Sequence, residues 1–193
     1  MLLPDLEVNL MKRVLLAAIG ALAFSTGAFA QAPAGPFDAA LAAAPANARD
    51  AAMVIKWKAD GTYDTLRPGT SRLMCYDQAG DAGEQPISSQ CTSVGNLERV
   101  KQNKIYEAKI ADRTAREAAL TELEKAGTRV KPEFGSVFYT RQGKDASTVR
   151  THVTIAVPGA TAASLGIPDN NKMGGAWIMG AGTTAAHIMT PGS

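Results

Sequence analysis

With 193 residues, the chain has room for one ordinary domain or two very small ones. Hydrophobic residues at 46% and charged residues at 20% exclude a disordered tail. Lys and Arg number 20 against 18 Asp and Glu, a net charge of +2, so nucleic acid is not expected as a partner. Aromatic residues make up only 6%, which leaves the core to small aliphatic side chains.

The first readable feature is an export signal. Lys12 and Arg13 precede an apolar run from Val14 to Phe24, and Ala28-Phe29-Ala30 offers small residues at the two positions a signal peptidase reads. The run is about half the roughly 20 residues a spanning helix needs. Residues 11–30 therefore predict a signal peptide, a mature chain starting at Gln31, and a periplasmic or secreted protein with no stable membrane insertion. Residues 1–10 place Asp5 and Glu7 ahead of the basic pair, the wrong polarity for a signal. They are read as a false start, with translation beginning at Met11.

Gln31 to Ala52 is an Ala/Pro-rich lead-in, with at most a turn or two of helix around Asp38–Leu41, and a single globular domain is expected over residues 53–193. Met53, Ile55 and Trp57 alternate with Val54, Lys56 and Lys58, the period of a half-buried strand. Asp60-Gly61 then turns the chain into a return strand from Tyr63 to Leu66. After Pro68-Gly69, Leu73 to Tyr76 predicts a third strand. Cys75 and Cys91 enclose a stretch rich in Gly, Ser and Gln with no helical or strand pattern. In an oxidising compartment, a disulfide closing that loop is expected.

From Leu97 to Ala126 there is no Pro or Gly, and Gly127 stands where a helix C-cap belongs. Ala108, Ala111, Ala115, Ala119, Leu123 and Ala126 predict one apolar face, with Asp112 and Arg116 on the exposed side. A helix this long predicts a break near Gln102-Asn103. Beyond it, Ser136–Arg141 and Thr148–Val157 read as a hairpin, Pro158–Lys172 as a loop, and Ala176–Met179 with Thr184–Met189 as a last hairpin around Gly180–Thr183. The expected fold is α+β: an antiparallel sheet of about six or seven short strands packed against one long helix, broken once.

Candidate chemistry centres on His152 and His187, the only histidines. Either could act as an acid–base group; His152 could be oriented by Asp64, Asp77 or Asp169. His187 and Met189 are two apart on a strand, so they share a face, and imidazole with thioether is a ligand set that suits copper. Met173 and Met179 lie in the same region. A four-residue turn puts Met179 and Trp177 on the face opposite His187, and a three-residue turn puts them on the same face. The metal candidates are thus His187, Met189 and His152, although no motif requires a cofactor. Methionine is also a common core filler. Trp57 and Trp177 are candidate ligand platforms, with ordinary packing in a sheet as the alternative. Ala162-Ala163-Ser164-Leu165-Gly166 has the outline of a nucleophile elbow, but Pro168 blocks the helix that must follow. Gly180–Thr183 lacks the lysine of a phosphate loop and reads as a turn.

Asp60-Gly61-Thr62, Leu66-Arg67-Pro68-Gly69-Thr70 and Cys75, then His152 and Val157-Pro158, resemble a family of exported bacterial proteins with no assigned activity. The likeness continues through Gly174-Gly175-Ala176-Trp177-Ile178-Met179, Gly182-Thr183 and Ala186-His187-Ile188-Met189. It implies export and a common fold, and carries no catalytic residue across. The function expected is non-catalytic binding of a small ligand or an envelope component. The alternatives are a histidine-dependent hydrolase and a copper-binding envelope protein.

Overall fold

Strand β1 (Met53–Trp57) and strand β2 (Tyr63–Arg67) form the hairpin expected at Asp60-Gly61 in the computed structural model, which describes residues 35–190. Residues 1–10 and the signal segment 11–30 lie outside the described residues. Gly61 takes φ 79°, and the Thr62 amide donates to Asp60 Oδ1 at 2.9 Å, which closes the turn. The chain next crosses the start of β1. A Cβ on Gly69 would stand 2.3 Å from the Met53 nitrogen, so only glycine lets the chain pass and bring β3 (Leu73–Asp77) alongside β1.

The strands β4 (Ile87–Ser93), β5 (Val137–Gly143), β6 (Arg150–Ala156), β7 (Trp177–Met179) and β8 (His187–Met189) complete an eight-stranded sheet of order β2-β1-β3-β4-β5-β6-β8-β7. Among the described residues β1 and β3 are the one parallel pair; every other neighbour is antiparallel. The class is α+β as expected, but the strand count exceeds six or seven. The addition is β4, which includes Cys91 and takes up the end of the stretch between the cysteines, while residues 78–86 are irregular as expected.

β4 has no alternating hydrophobic pattern because it is central and covered on both faces, with several of its polar side chains bonded inside; Ser89 Oγ is not. Ser88, Ser89 and Thr92 are all buried. Thr92 Oγ1 donates to the Val137 carbonyl at 3.0 Å, and Gln90 Nε2 donates to Thr140 Oγ1 at 3.1 Å. Cys75 and Cys91 face each other directly across β3 and β4, and are joined in a disulfide.

One face of the sheet packs Ile55, Met74 and Tyr76 against Val100 of helix α2 (Leu97–Lys109). The other packs Val54, Cys75 and Cys91 against Ala40, Leu41, Ala43, Ala44 and Ala52, the first two of them in helix α1 (Asp38–Leu41). The presumed lead-in is therefore part of the core, and the compact unit begins at Gly35. Its alanines fit because only a side chain that small lets the chain lie close over the disulfide.

The long helix is two. α2 ends at Lys109, and α3 runs from Arg113 to Lys125. The break is at Ile110–Asp112 and not near Gln102-Asn103. Ile110 is extended, and Asp112 becomes the N-cap of α3, its Oδ1 accepting from the Ala115 amide at 2.8 Å. The interruption resets the helical phase, and the alanine face is not formed: Ala111, Ala115 and Ala126 are exposed, as is Ala108 ahead of the break. Arg116, expected on the outside, is instead the buried residue of α3. A fourth short helix, α4 (Ala162–Leu165), covers the far end of the sheet, where Val157, Ile178 and Ala186 are buried.

Tyr76 links packing to pH. It is 1% exposed, its hydroxyl donates to Gln90 Oε1, and burial together with Glu107, Glu84 and Asp81 pushes its pKa well above 10. The folded value exceeds the unfolded one, so this contribution to stability is complete below pH 10 and is lost as pH rises above it. Urea midpoints measured from pH 8 to pH 11 should fall at the alkaline end, and less steeply in Tyr76→Phe. Equal slopes in the two proteins would contradict this.

Candidate functional site

The histidines are carried by neighbouring strands. His152 on β6 is opposite Thr140 of β5, while His187 on β8 is opposite Ala156 of β6. Period-two alternation from Ala156 through Thr154 to His152 puts both imidazoles on the face that α2 covers. There they line one cavity of about 410 Å³, with Arg99 and Asn103 of α2 on the opposite wall. Four residues of strand separate their positions along the ladder, about 13 Å at roughly 3.3 Å per residue. They stand at two ends of one chamber.

None of the residues lining that chamber is a carboxylate. His187 Nδ1 instead meets the carbonyl oxygen of Ala185 at 2.7 Å; since a carbonyl only accepts, Nδ1 carries a proton, and in the neutral ring the lone pair is on Nε2. Asp64, Asp77 and Asp169, weighed as partners of His152, are not on the chamber's walls. Among the described residues, no group of three or more His, Cys, Asp and Glu side chains could hold a metal ion.

Asn103 and Gln142 are shared with a second cleft, of about 650 Å³, so the two adjoin. This cleft is lined by Arg113, Arg116 and Arg129 together with Lys144, and by Glu84, Glu107 and Glu117. Two of the acids are engaged: Glu117 pairs with Arg113 and Glu107 with Lys104, both at 2.8 Å. Arg116 and Arg129 have no carboxylate within 4.0 Å among the described residues. Both are held by neutral oxygens. Arg116 Nη1 donates to the Ile110 carbonyl at 3.2 Å, and Arg129 donates to Gln102 Oε1 at 2.5 Å and to Asn103 Oδ1.

Arg99 is held in the same way, donating to the Val130 carbonyl at 2.6 Å and to Thr184 Oγ1 at 3.0 Å. Burial, and then the neighbouring Arg129, push its pKa down to about 10, which leaves it a cation at neutral pH. Burial lowers Arg129 too, against the pull of Glu124. Three buried guanidiniums thus line adjoining cavities with no carboxylate within 4.0 Å among the described residues, Glu124 acting on Arg99 and Arg129 from beyond that distance, a costly arrangement unless something anionic or aqueous meets them. Compared with models of protein families, with curated proteins and with solved structures, the chain gives no match.

The arginines are what sequence reasoning missed. Arg99, Arg116 and Arg129 are spread over two helices and a loop, and nothing in their spacing brings them together. Only the helix break, signalled by the N-cap type at Asp112, hints that Arg116 turns inward. Other candidates separate. Trp57 lies in an aromatic cluster, edge-on to Tyr63 at 5.4 Å and to Tyr76 at 6.0 Å, away from the histidine chamber. Ser164 closes a capping box with Thr161 in α4, donating to the Thr161 carbonyl, so the one-turn helix replaces part of the expected loop. Gly180–Thr183 is a turn, as expected, with the Thr183 amide donating to the Gly180 carbonyl at 3.1 Å.

The last hairpin has a longer connection than either alternative considered from sequence. Met179 pairs with His187 and Trp177 with Met189 across β7 and β8, leaving Gly180–Ala186 as the loop. Thr184 is drawn out of the strand because Glu124 accepts from both its amide (2.6 Å) and its hydroxyl (2.5 Å). Trp177, Met179, His187 and Met189 consequently share one face, while Ile178 and Ile188 point into the core on the other.

Proposed function

We propose that this chain is an exported protein that binds a small anionic molecule, without transforming it, in the adjoining cavities between the helix layer and the sheet. The observation that carries the reading is the trio Arg99, Arg116 and Arg129: buried, held by neutral oxygens, and free of ion pairs among the described residues. Guanidinium donors in that setting suit carboxylate or phosphate oxygens. His152 would add an imidazole N–H at one end of the smaller chamber; His187, whose Nδ1 proton is given to the Ala185 carbonyl, stands at the other. Among the described residues no carboxylate lines the histidine chamber to share a proton with either imidazole, which favours binding over hydrolysis. Export is supported by the Cys75–Cys91 disulfide. No described helix is long and apolar enough to cross a membrane.

Calorimetric titration with inorganic phosphate and with succinate tests the reading. Binding of at least one is expected, weakening with added salt, and Arg116→Gln should weaken it about tenfold or more, as for a lost charged hydrogen bond. Lys144→Met, at the rim, should have a smaller effect of the same sign. Absence of binding to both anions, or affinity unchanged in Arg116→Gln, would overturn it.

A further inference from the structure

The face of the last hairpin that carries His187 bears a side-chain set that packing does not explain. Ile178 and Ile188 are packed on the opposite face, whereas Met179, on the His187 face at the edge of the sheet, is 46% exposed and belongs to none of the hydrophobic clusters. A methionine that only filled the core would not be left in solvent opposite a histidine. Directly opposed residues on a sheet have Cβ atoms about 5 Å apart, and diagonal neighbours remain within reach of long side chains at roughly 7–8 Å. Met179 opposes His187, Trp177 opposes Met189, and Met179 and Met189 are diagonal neighbours.

We propose that Met179, His187 and Met189 form a binding site for a soft monovalent metal ion, Cu(I) or Ag(I), capped by the Trp177 indole. The donor set is two thioether sulfurs and one imidazole nitrogen, the softness that selects Cu(I) over Zn(II) or harder cations. His187 is already prepared as a ligand. Its Nδ1–H is committed to the Ala185 carbonyl at 2.7 Å, which fixes the ring and leaves Nε2 as the donor, the usual outer contact of a metal-binding histidine. All three donors are neutral, so the ion keeps its charge, and the electron-rich indole beside Met189 offers it a cation–π face. His152 is not part of the set, since it lies four residues along the ladder from Ala156, the partner of His187.

Ag(I) is the probe, because it needs no reductant and leaves the disulfide intact. Titration of the purified protein should show one equivalent bound, with quenching of part of the tryptophan fluorescence that disappears in Trp177→Phe. Met179→Leu and Met189→Leu preserve volume and should each weaken Ag(I) binding about tenfold or more. Met173→Leu, at an exposed loop methionine, should leave it unchanged. The two methionines of the hairpin are not on the walls of the histidine chamber, so phosphate and succinate binding should be the same in Met179→Leu as in the parent. No saturable binding, equal affinity in the Met179→Leu/Met189→Leu double variant, or a loss in Met173→Leu as large as in Met179→Leu would overturn the assignment. Loss of anion binding alone, with Ag(I) binding intact, would fall on the cavity reading.

Discussion

Replacing Cys75 and Cys91 together by alanine is expected to lower the unfolding free energy by about 3 kcal/mol, from the loop entropy the bridge removes. The two residues are separated by 16 positions, both are fully buried, and both belong to the cluster that seats α1. Truncation should therefore add a packing loss to the entropic one, because Ala40 and Ala44 are too small to fill the space left behind. Urea unfolding of the double variant, with dithiothreitol-treated parent as a second sample, measures the difference. A midpoint unmoved in both would mean that the bridge does not constrain this chain. Since the strand register already places Cys75 opposite Cys91, refolding under oxidising conditions should restore the parent midpoint.

Asn96→Leu should cost about 2–4 kcal/mol, the range for leaving a buried polar group unpaired while losing its other bonds. Asn96 has no exposed surface and uses its whole amide: Nδ2 donates to Thr92 Oγ1 at 2.7 Å and Ser136 Oγ at 2.9 Å, while Oδ1 accepts from the Glu133 amide at 2.7 Å. It ties the start of α2 to β4 and to the entry of β5. The threonine and serine hydroxyls keep their own bonds to the Val137 and Glu133 carbonyls, so the Glu133 amide is the group stranded by leucine. Asn96→Asp sharpens the test. A carboxylate there faces two hydroxyls already donating elsewhere, which raises its pKa in the folded state above the unfolded value. The variant should thus be closer to the parent at pH 4 than at pH 8. A pH-independent deficit would argue against this account of the network.

Legibility in the sequence followed the locality of the cause. The hairpin at Asp60-Gly61 was readable because its turn is made by the residues themselves. β4 was not, because Ser88, Ser89 and Thr92 are buried by elements on both sides, with Ser88 bonded to nearby Glu84 and Thr92 to distant Val137, so the usual polar–apolar alternation is absent. The helical register failed beyond Ile110 for a different reason. A single capping side chain, Asp112, outweighed the continuous helix propensity around it and rotated every later position. That one local event turned Arg116 inward and left Ala115 and Ala126 exposed.

The candidate sites divide the same way. Sequence reading selected His152, His187 and Met189 from residue type and two-residue spacing, and it posed the question of whether Trp177 and Met179 join them. Their shared face depends on Thr184, which Glu124 holds across 60 residues of chain, lengthening the loop and moving the pairing. The arginines of the adjoining cavities converge from two helices and a loop that no spacing relates.

The sequence by itself determined the cysteine pair, the hairpin turn at Asp60-Gly61, the α+β class and the near-neutral charge, since each follows from composition or from residues close in the chain. Tertiary structure decided the eighth strand, the core role of Ala40–Ala52, the inward turn of Arg116 and the register of the last hairpin. Those outcomes rest on burial and hydrogen bonds between distant segments, whose free energy exceeds the local preferences it overrides.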